Sequence, residues 1–342
     1  MQINNYIIEN RFVEMLCNNF KRSTLQINKL NESDAEIISI PGTSVKLAIT
    51  TDNISEEIEK GLYNNPYQIG WMSVIINASD IAAVGADPLG ILLNETFSEK
   101  YSDDIISEIQ KGISDACDYS GFFVLGGDTN YSSSPQFGAV AIGLISDDKI
   151  ISRKGCNEND MLYLSGQAGR GNAYAFSKLF KTGIDINYLP VSRIKQGKII
   201  RRYASCCMDT SDGVMSALDQ LMRINQKGFI VDAKPEYYID NESYKLSEKI
   251  NKSSLIMLAG QHGEFELIFT IPEHKNYDFL NEAKSIGWNP FNIGKVQNEI
   301  NLSLSTGNSM YKPDSAKIRN LLSETNGNIE KYINELFKIF NF

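Results

Sequence analysis

The chain has 342 residues, a length that suits two domains of ordinary size better than one. Hydrophobic residues make up 42% of it and charged residues 22%, a composition that excludes disorder over most of the chain. The formal net charge of −9 argues against nucleic acid as the main partner, because phosphate backbones are bound by basic surfaces.

Cysteine and histidine usage narrows the chemistry further. The five cysteines show no CxxC spacing and are typical neither of a zinc site nor of a disulfide framework. The first residues lack the features of a signal peptide, and no apolar run approaches the roughly 20 residues that a membrane span needs. We therefore expect a cytoplasmic protein with no membrane partner. With only two histidines, His262 and His274, acid–base and metal chemistry falls mainly to carboxylates.

The first half of the chain predicts an α/β domain. Apolar spacing, proline at a helix start and a Ser102 cap are the signals that define its helices. The predicted elements, in chain order, are a helix within 1–30, a strand at 45–50, helices at 66–83 and 102–119, a buried strand at 122–125 that stops at Gly126, and a strand at 138–145. The apolar stretch Phe137–Ile145 fits an interface strand and a buried core strand equally well.

A polar, turn-rich segment at 146–160 predicts the boundary between two domains, 1–148 and 149–342. The elements predicted after it are strands at 161–164, 206–209, 228–232 and 266–270, helices at 172–180 and 191–202, a helix from Val214, and a terminal helix at 328–339. One basic run within them is either a local anion-binding patch or the solvated face of a helix: Lys195, Lys198, Arg201 and Arg202.

The strongest local feature is an apolar segment that ends in a turn carrying aspartate. It occurs three times, at 50–53, 126–129 and 208–213, and supplies Asp52, Asp128, Asp209 and Asp212. Asp80 differs, because it shares one face of a predicted helix with Ser73 and Asn77. Asp34 precedes the strand predicted at 45–50.

Each of these aspartates taken alone is typical of a turn or a helix cap. Taken together they indicate more, since partly buried carboxylates without adjacent Lys or Arg repel one another unless a cation lies between them. Mg²⁺ prefers such hard oxygen ligands and accompanies nucleotide triphosphates in phosphoryl transfer. The sequence therefore predicts an acidic magnesium site that holds ATP.

A glycine-rich turn, Leu164–Asn172, lies between a predicted strand and a predicted helix. It fits either a phosphate cradle at a helix N-terminus or a simple tight turn. Arg153, shortly before it, is the cation best placed to meet a phosphate.

Five ordered motifs resemble those of thiamine-monophosphate kinase, in a superfamily that also holds aminoimidazole ribonucleotide synthetase, selenophosphate synthetase and the hydrogenase-maturation dehydratase. The resemblance covers residues 30–275. Its motifs are Thr51-Asp52, the segment 77–88, Gly126-Gly127-Asp128-Thr129, Arg153-Lys154-Gly155 and Asp209-Thr210-Ser211-Asp212-Gly213.

The resemblance implies an α/β (α+β) fold of the aminoimidazole ribonucleotide synthetase type with two domains. Residues 1–148 would form a strand-rich domain that binds ATP and Mg²⁺ and forms a homodimer, with the ATP site across the subunit boundary. Residues 149–342 would form an α/β domain with the terminal helix.

Site residues follow by position in these motifs. The metal candidates are Asp34, Asp52, Asp80, Asp128, Asp209 and Asp212, of which Asp52, Asp128 and Asp212 are also the catalytic candidates. The nucleotide-binding candidates are Thr51, Asn77, Gly127, Thr129, Arg153 and Ser211.

The acceptor side departs from the family pattern. A histidine expected near the substrate is replaced around Glu59, and the family's Gly-Gly-Glu-Asp-Tyr-Glu segment appears as 260–266, which leaves His262 and Glu264 as substrate-binding candidates together with Glu59. An early Gly-Asp-Asp motif is reduced to Glu32-Ser33-Asp34. The C-terminal Trp-Gly-Tyr segment that closes the thiamine pocket is absent.

The leading hypothesis is an ATP-dependent kinase that uses Mg²⁺ to phosphorylate thiamine monophosphate or another small molecule. One alternative is an ATP-dependent synthetase or dehydratase that activates an amide or carbonyl oxygen, although the Gly-Val-Gly-Thr-Lys pattern of the cyclising synthetase is missing. Another is a non-catalytic nucleotide-binding regulator that has lost its acceptor site.

Overall fold

The computed structural model describes residues 6–180, 182–305 and 309–340. Its helices are α1 (Ile8–Cys17), α2 (Ser55–Glu59), α3 (Pro66–Ala83), α4 (Asp103–Ser120), α5 (Arg170–Phe180), α6 (Ile194–Tyr203), α7 (Val214–Asn225), α8 (Asn241–Lys249), α9 (Asn276–Ser285), α10 (Ser315–Glu324) and α11 (Ile329–Ile339). Its strands are β1 (Glu36–Ser39), β2 (Lys46–Asn53), β3 (Asp87–Ser98), β4 (Val124–Ser132), β5 (Gln136–Ile145), β6 (Met161–Leu164), β7 (Cys206–Asp209), β8 (Gly228–Asp232), β9 (Leu267–Ile271), β10 (Phe291–Gln297), β11 (Leu302–Ser305) and β12 (Met310–Tyr311).

The first sheet has the strand order β1-β2-β5-β3-β4 and lies entirely before residue 146. β5 pairs antiparallel with both β2 and β3, whereas β3 and β4 are parallel and joined by the helix α4. β5 is therefore a central strand, and its residues Phe137, Ala139, Ala141 and Ile145 are buried in the core.

Two glycines let α3 and α4 pack closely. An added Cβ at Gly70 would lie 1.9 Å from the carbonyl oxygen of Ile109, and one at Gly112 would lie 2.1 Å from that of Tyr67. The two backbones therefore touch at both points, which buries α3 on nearly every side.

The second sheet has the order β12-β11-β8-β10-β6-β9-β7. Its pairs are antiparallel except for β8 with β11. The edge strand β7 lies against α3 of the first half, where the Ser79 hydroxyl donates to Asp209 at 2.8 Å. The predicted mixed α/β architecture is confirmed.

The basic run of α6 serves this contact between the halves. An added Cβ at Gly197 would lie 2.1 Å from the carbonyl oxygen of Ala82 on α3, and the Arg201 guanidinium donates to the carbonyl oxygen of Gly85 at 3.0 Å. Lys198, Arg201 and Arg202 each form an ion pair, with Asp87, Asp147 and Glu282. These three basic residues are committed to contacts within the chain.

Most predicted elements are present, and α3 and β8 begin and end at the predicted residues. The prediction of a buried strand at 122–125 was wrong in two respects. The strand continues as β4 through Gly126 and Asp128 to Ser132, and it is an exposed edge strand. An aromatic and aliphatic run indicates burial, but here it lies on a sheet edge.

The sequence also missed β3, because Pro88 and Gly90 are residues that usually interrupt strands. A bulge between them absorbs the irregularity. The turn assignment of the aspartates was partly wrong as well. Asp52 and Asp128 lie within β2 and β4, Asp209 is the last residue of β7, and Asp212 lies in the turn before α7.

Across residues 6–180, 182–305 and 309–340, each helix is too short or too polar to cross a bilayer.

The close approach of α3 and α4 makes Gly70 a sensitive position. Gly70→Ala would force the helices apart and lower the free energy of unfolding by about 1–3 kcal/mol, despite a gain of up to about 1 kcal/mol in helix propensity. Urea unfolding followed by circular dichroism measures this change. Ser107→Ala, on the exposed side of α4, is the control with little expected effect. An unchanged unfolding midpoint for Gly70→Ala would contradict the packing argument.

Candidate active site

Three aspartates from distant parts of the chain meet where the two sheets adjoin. Asp34 comes from the loop before β1, Asp80 from α3 and Asp209 from the end of β7. One carboxylate oxygen of each lies within 4.8 Å of the others. The structure thus brings together three of the six predicted metal ligands.

The acidic cluster, defined as Asp34, Asp80 and Asp209, contains more negative charge than its partners neutralise. Arg153 donates to Asp34 at 3.0 Å, and the Asp34 side chain is almost fully buried. The hydroxyls of Thr50 and Ser211 donate to Asp80 and Asp209 respectively. One guanidinium therefore faces three carboxyl groups.

Proton affinity in the cluster reflects this imbalance. Burial, followed by the charges of Asp209 and Asp34, raises the pKa of Asp80 well above its usual range. Burial and Asp34 likewise raise the pKa of Asp209 to about 7. The cluster lacks a positive charge that a proton or a metal ion would supply.

Two oxygens near the cluster are free to bind a cation. Among the described residues, the buried Oδ2 of Asp34 and the buried Oδ1 of Asn77 have no hydrogen-bond partner. Asn77 lies one helical turn before Asp80, and its amide nitrogen donates to the backbone oxygens of Ser73 and Asp52. Orphaned buried oxygens together with crowded carboxylates suit a hard divalent cation such as Mg²⁺.

A polar cavity of about 350 Å³ lies beside this cluster. Its wall includes Asp52, Ser211 and Asp212, so it contains two of the predicted catalytic aspartates and one predicted nucleotide-binding residue. Ser211 connects it to the cluster through its hydrogen bond to Asp209 at 3.0 Å. The cavity can therefore receive a ligand that also reaches the cluster.

His262 lines the cavity but is held as a neutral ring. Its Nδ1 donates to the carbonyl oxygen of Gly171 at 3.1 Å, which leaves Nε2 to accept from the Tyr63 hydroxyl at 2.9 Å. Burial lowers its pKa to about 4. Because both nitrogens are engaged and the ring is uncharged at neutral pH, His262 is suited to shaping the wall rather than to proton transfer.

Glu264 does not line the cavity; it binds the glycine-rich turn instead. Its Oε1 accepts from the backbone N–H of Gly169 at 2.7 Å and of Gly171 at 3.3 Å, at the start of α5. The amide groups expected to cradle a phosphate are therefore bound by a side chain of the same chain. This favours the tight-turn interpretation of Leu164–Asn172.

Asp128, predicted as a metal-binding and catalytic residue, lies apart from the cluster in a single chain. Asp128 on β4 pairs with Asn94 on β3, which pairs with Gly138 on β5, which in turn pairs with Asn53 on β2. Asp128 is therefore three strand spacings, or about 14 Å, from Asn53. Asn94 is exposed and its neighbour Leu93 is buried, so Asp128 shares the exposed face of the sheet with its partner Asn94. Asp52 precedes Asn53 by one position along β2 and therefore faces the opposite side.

Gly127 and Thr129 lie beside Asp128 on the exposed β4 and are separated from the cluster with it. Thr51 lies on β2 next to Thr50, which donates to Asp80, but the Thr51 hydroxyl donates to the carbonyl oxygen of Ala139. Glu59 is exposed at the end of α2 and does not line the polar cavity.

Sequence reasoning missed several residues of the polar cavity, among them Glu56, Glu57 and Tyr63. The signal available was the acidic pair that begins a short helix directly after the Asp52 strand. Glu59 was predicted to bind the substrate instead, although Glu56 and Glu57 are the carboxylates on the cavity side of α2.

The contact between Glu264 and the glycine turn predicts a pH effect on stability. Burial, with a contribution from Glu266, raises the pKa of Glu264 from 4.5 to about 8. Because the folded state favours the protonated form, this contribution to stability is complete below pH 4.5 and is lost as the pH rises through 8.

Glu264→Gln keeps the shape but does not titrate. The variant should gain about 1–2 kcal/mol of unfolding free energy relative to the wild type between pH 6 and 8. Denaturant unfolding across this range measures the difference, with exposed Glu108→Gln as control. Parallel pH profiles for Glu264→Gln and the wild type would contradict the assignment.

Residues 32–145 match the family model of the AIR synthase related protein, N-terminal domain. The chain is 29% identical over 297 residues to the thiamine-monophosphate kinase of Buchnera aphidicola subsp. Schizaphis graminum, covering 83% of this chain and 87% of that protein.

Two solved structures share the fold. AaThiL complexed with AMPPCP and TMP has a TM-score of 0.72 at 20% identity, covering 91% of this chain and 98% of that one. The hydrogenase maturation protein HypE in complex with ATP has a TM-score of 0.67 at 17% identity, covering 90% and 95%. Together with the ordered motifs around the acidic cluster, these similarities show that the chain has the AIR synthase-like fold, resembles the thiamine-monophosphate kinases over most of its length and is an ATP-dependent phosphotransferase.

Proposed function

We propose that this chain transfers the γ-phosphoryl group of Mg-ATP to thiamine monophosphate or to another small molecule with a similar acceptor oxygen. The observation that carries the proposal is the under-neutralised acidic cluster next to a polar cavity. In the reaction an acceptor oxygen forms a bond to the γ-phosphorus, the bond from that phosphorus to the bridging oxygen breaks, and ADP leaves with the electron pair.

Asp34, Asp80 and Asp209 are the residues that would hold Mg²⁺, with Asp52 and Asp212 of the cavity wall as further candidates. Bound Mg²⁺ would neutralise the phosphate oxygens during transfer. Arg153 holds Asp34 in place from one side and leaves its second oxygen free. The Ser79 and Ser211 hydroxyls fix Asp209 in the same manner.

The protein groups orient the reactants and need not supply a nucleophile or a strong base. His262 is neutral and engaged at both nitrogens, and a phosphate acceptor is already an anionic oxygen nucleophile at neutral pH. Positioning and charge neutralisation are the main contributions expected for phosphoryl transfer. The structure supports this division because the cluster is rigidly hydrogen-bonded on its protein side.

The acceptor is suggested by the relatives. The curated proteins that match most of the chain are named thiamine-monophosphate kinases, and the AaThiL structure holds AMPPCP together with TMP. Because the reaction uses ATP and the cysteines are free thiols, we place the enzyme in the cytoplasm.

We also propose that the chain forms a homodimer through the edge of its first sheet. Phe123, Val124, Leu125 and Tyr131 lie on or beside the edge strand β4 and are each at least half exposed. An unpaired edge strand with exposed apolar side chains is a natural site for pairing with a second copy. Such a dimer would cover Asp128 and bring it towards a partner chain.

Phe123→Asp should convert the dimer to a monomer, because a charge would have to be buried at the interface. Light scattering coupled to size-exclusion chromatography measures the mass. Tyr277→Asp is a matched control, since Tyr277 is 76% exposed and Phe123 75% exposed, but it lies on α9. A wild-type monomer, or a Phe123→Asp dimer, would rule out this interface.

The function is tested by a kinase assay with Mg²⁺, ATP and thiamine monophosphate, and by the same assay on Asp80→Asn. Formation of thiamine diphosphate is expected in the wild type. Asp80→Asn should lower the rate by about 10²–10³-fold, because it removes one carboxylate that holds the charge-neutralising ion.

The same variant has a second expected signature. Without divalent cations Asp80→Asn should be more thermostable than the wild type at pH 7.5, since it removes a repelling buried charge, and it should lose the stabilisation that Mg²⁺ gives the wild type. Rearranged or dehydrated products would favour the synthetase alternative. Nucleotide binding without turnover on any acceptor would favour the regulator.

A further inference from the structure

The turn at 209–213, hereafter the aspartate turn, lies directly against residues 263–266, hereafter the supporting segment. The Gly263 N–H donates to the carbonyl oxygen of Ser211 at 2.8 Å. An added Cβ at Gly263 would lie 1.5 Å from the carbonyl oxygen of Thr210, so the two backbones touch. The supporting segment therefore sets the position of a turn that carries two of the predicted metal ligands.

The backbone of the supporting segment is strained. Phe265 has a φ of 58°, in the left-handed region that bulky side chains rarely adopt, because there the Cβ crowds the backbone. The Phe265 carbonyl oxygen accepts from the Ser79 hydroxyl at 3.5 Å, and the same hydroxyl donates to Asp209 at 2.8 Å. A conformation of this kind persists only where the surrounding contacts hold it on both sides.

The two buried glutamates that flank Phe265 make these contacts. Glu264 binds the backbone amides of the glycine-rich turn. Glu266 accepts two hydrogen bonds from the Arg193 guanidinium, one from Nε at 2.7 Å and one from Nη2. The N–H of Glu266 also donates to the Thr210 hydroxyl of the aspartate turn at 3.1 Å. One end of the strained segment thus depends on Glu264, and the other depends on the pair of Arg193 and Glu266.

This pair is enclosed by the protein. The side chains of Arg193 and Glu266 are 20% and 8% exposed, and the Ser165 hydroxyl donates to the same carboxylate. An added Cβ at Gly166 would lie 2.4 Å from Glu266 Oε1 and 2.5 Å from Arg193 Nη2. The first glycine of the glycine-rich turn is therefore needed to make room for the pair. Because the guanidinium forms two parallel hydrogen bonds in a closed space, it holds Glu266 in one orientation.

Arg193 also connects the supporting segment to the first half of the chain. The loop that ends at Arg193 is anchored on α3, where the Trp71 indole N–H donates to the carbonyl oxygen of Pro190 at 2.7 Å. It is anchored on α4 as well, where the hydroxyls of Ser120 and Ser192 lie 2.9 Å apart. Since α3 carries one aspartate of the acidic cluster and the aspartate turn carries another, this connection links two elements whose ligands must meet.

We propose that Arg193 is a positioning residue for phosphoryl transfer. Through Glu266 it fixes the supporting segment, and it thereby holds the aspartate turn at the distance from Asp80 that Mg²⁺ and the phosphates of ATP require. Arg193 does not line the polar cavity and acts on the reactants only through Glu266. The inference rests on the proposed function and assigns a role to a residue outside the five motifs of the family resemblance.

Arg193→Met removes both hydrogen bonds to Glu266 and is the first variant to test. The Mg²⁺ concentration that gives half-maximal AMPPCP binding, measured by calorimetric titration, should rise about 10–100-fold, as is usual when a residue that orients metal ligands is lost. In the kinase assay kcat should fall about 10²-fold with the acceptor KM nearly unchanged, because a displacement of about 1 Å is enough for such a loss.

Two further variants separate positioning from stability. Arg193→Met combined with Glu266→Gln leaves no unpaired buried charge, so its melting temperature should return towards that of the wild type while the Mg²⁺ requirement stays raised. Arg193→Lys keeps the charge without the two parallel hydrogen bonds and should raise the Mg²⁺ requirement about three- to tenfold. If Arg193→Met does not fold, these two variants provide the test.

Arg201→Met is the matched control. Arg201 is a buried, ion-paired arginine of α6, and its partners Gly85, Asp147 and Lys149 lie outside both the supporting segment and the aspartate turn. Arg201→Met should lower the melting temperature, because it removes these contacts. It should change the Mg²⁺ requirement less than about twofold, as expected for a site that shares no partner with the metal ligands.

The outcomes separate this inference from the proposed function. An unchanged Mg²⁺ requirement in Arg193→Met, its recovery in the double variant together with the melting temperature, or an equal effect of Arg201→Met would overturn the positioning role even if the kinase assay succeeds. A wild type that binds AMPPCP with Mg²⁺ but phosphorylates no acceptor would overturn the proposed function, and the titrations would still decide the role of Arg193. A wild type without Mg²⁺-dependent AMPPCP binding would overturn both.

Discussion

Repulsion among three buried carboxyl groups is the constraint on which the rest of this structure depends. Asp34, Asp80 and Asp209 lie within 4.8 Å of one another and share a single guanidinium, that of Arg153. Such a cluster is unfavourable unless protons or a cation compensate it, and the raised pKa values of Asp80 and Asp209 express this. Such a site binds positive charge strongly, as the proposed phosphoryl transfer from Mg-ATP requires.

The packing between the two halves of the chain holds these carboxyl groups in place. Close backbone contacts at Gly70 and Gly112 pack α3 against α4, and Gly197 lets α6 approach the end of α3. Ser79 of α3 then hydrogen-bonds Asp209 of β7. Each contact stabilises the fold around α3, so the stability gained there offsets the unfavourable charge of the cluster.

Two of the residues predicted to bind the acceptor are held in place by contacts within the chain. Glu264 is bound to the backbone amides of the glycine-rich turn, whereas His262, fixed between Tyr63 and Gly171, forms part of the wall of the polar cavity. Glu57 on α2, which lines the polar cavity, has a buried Oε2 with no hydrogen-bond partner among the described residues.

The sequence by itself determined the α/β class, the bounds of α3 and β8, and the aspartates that matter, because local periodicity and residue chemistry are written along the chain. Only the tertiary structure decided which aspartates meet. It joined Asp34, Asp80 and Asp209, placed Asp128 on an exposed edge strand, and turned Glu264 towards the glycine turn. It also placed α11 over a cavity of about 250 Å³. These features depend on which distant segments pack together, and the spacing of residues along the chain does not tell how close two such segments lie in space.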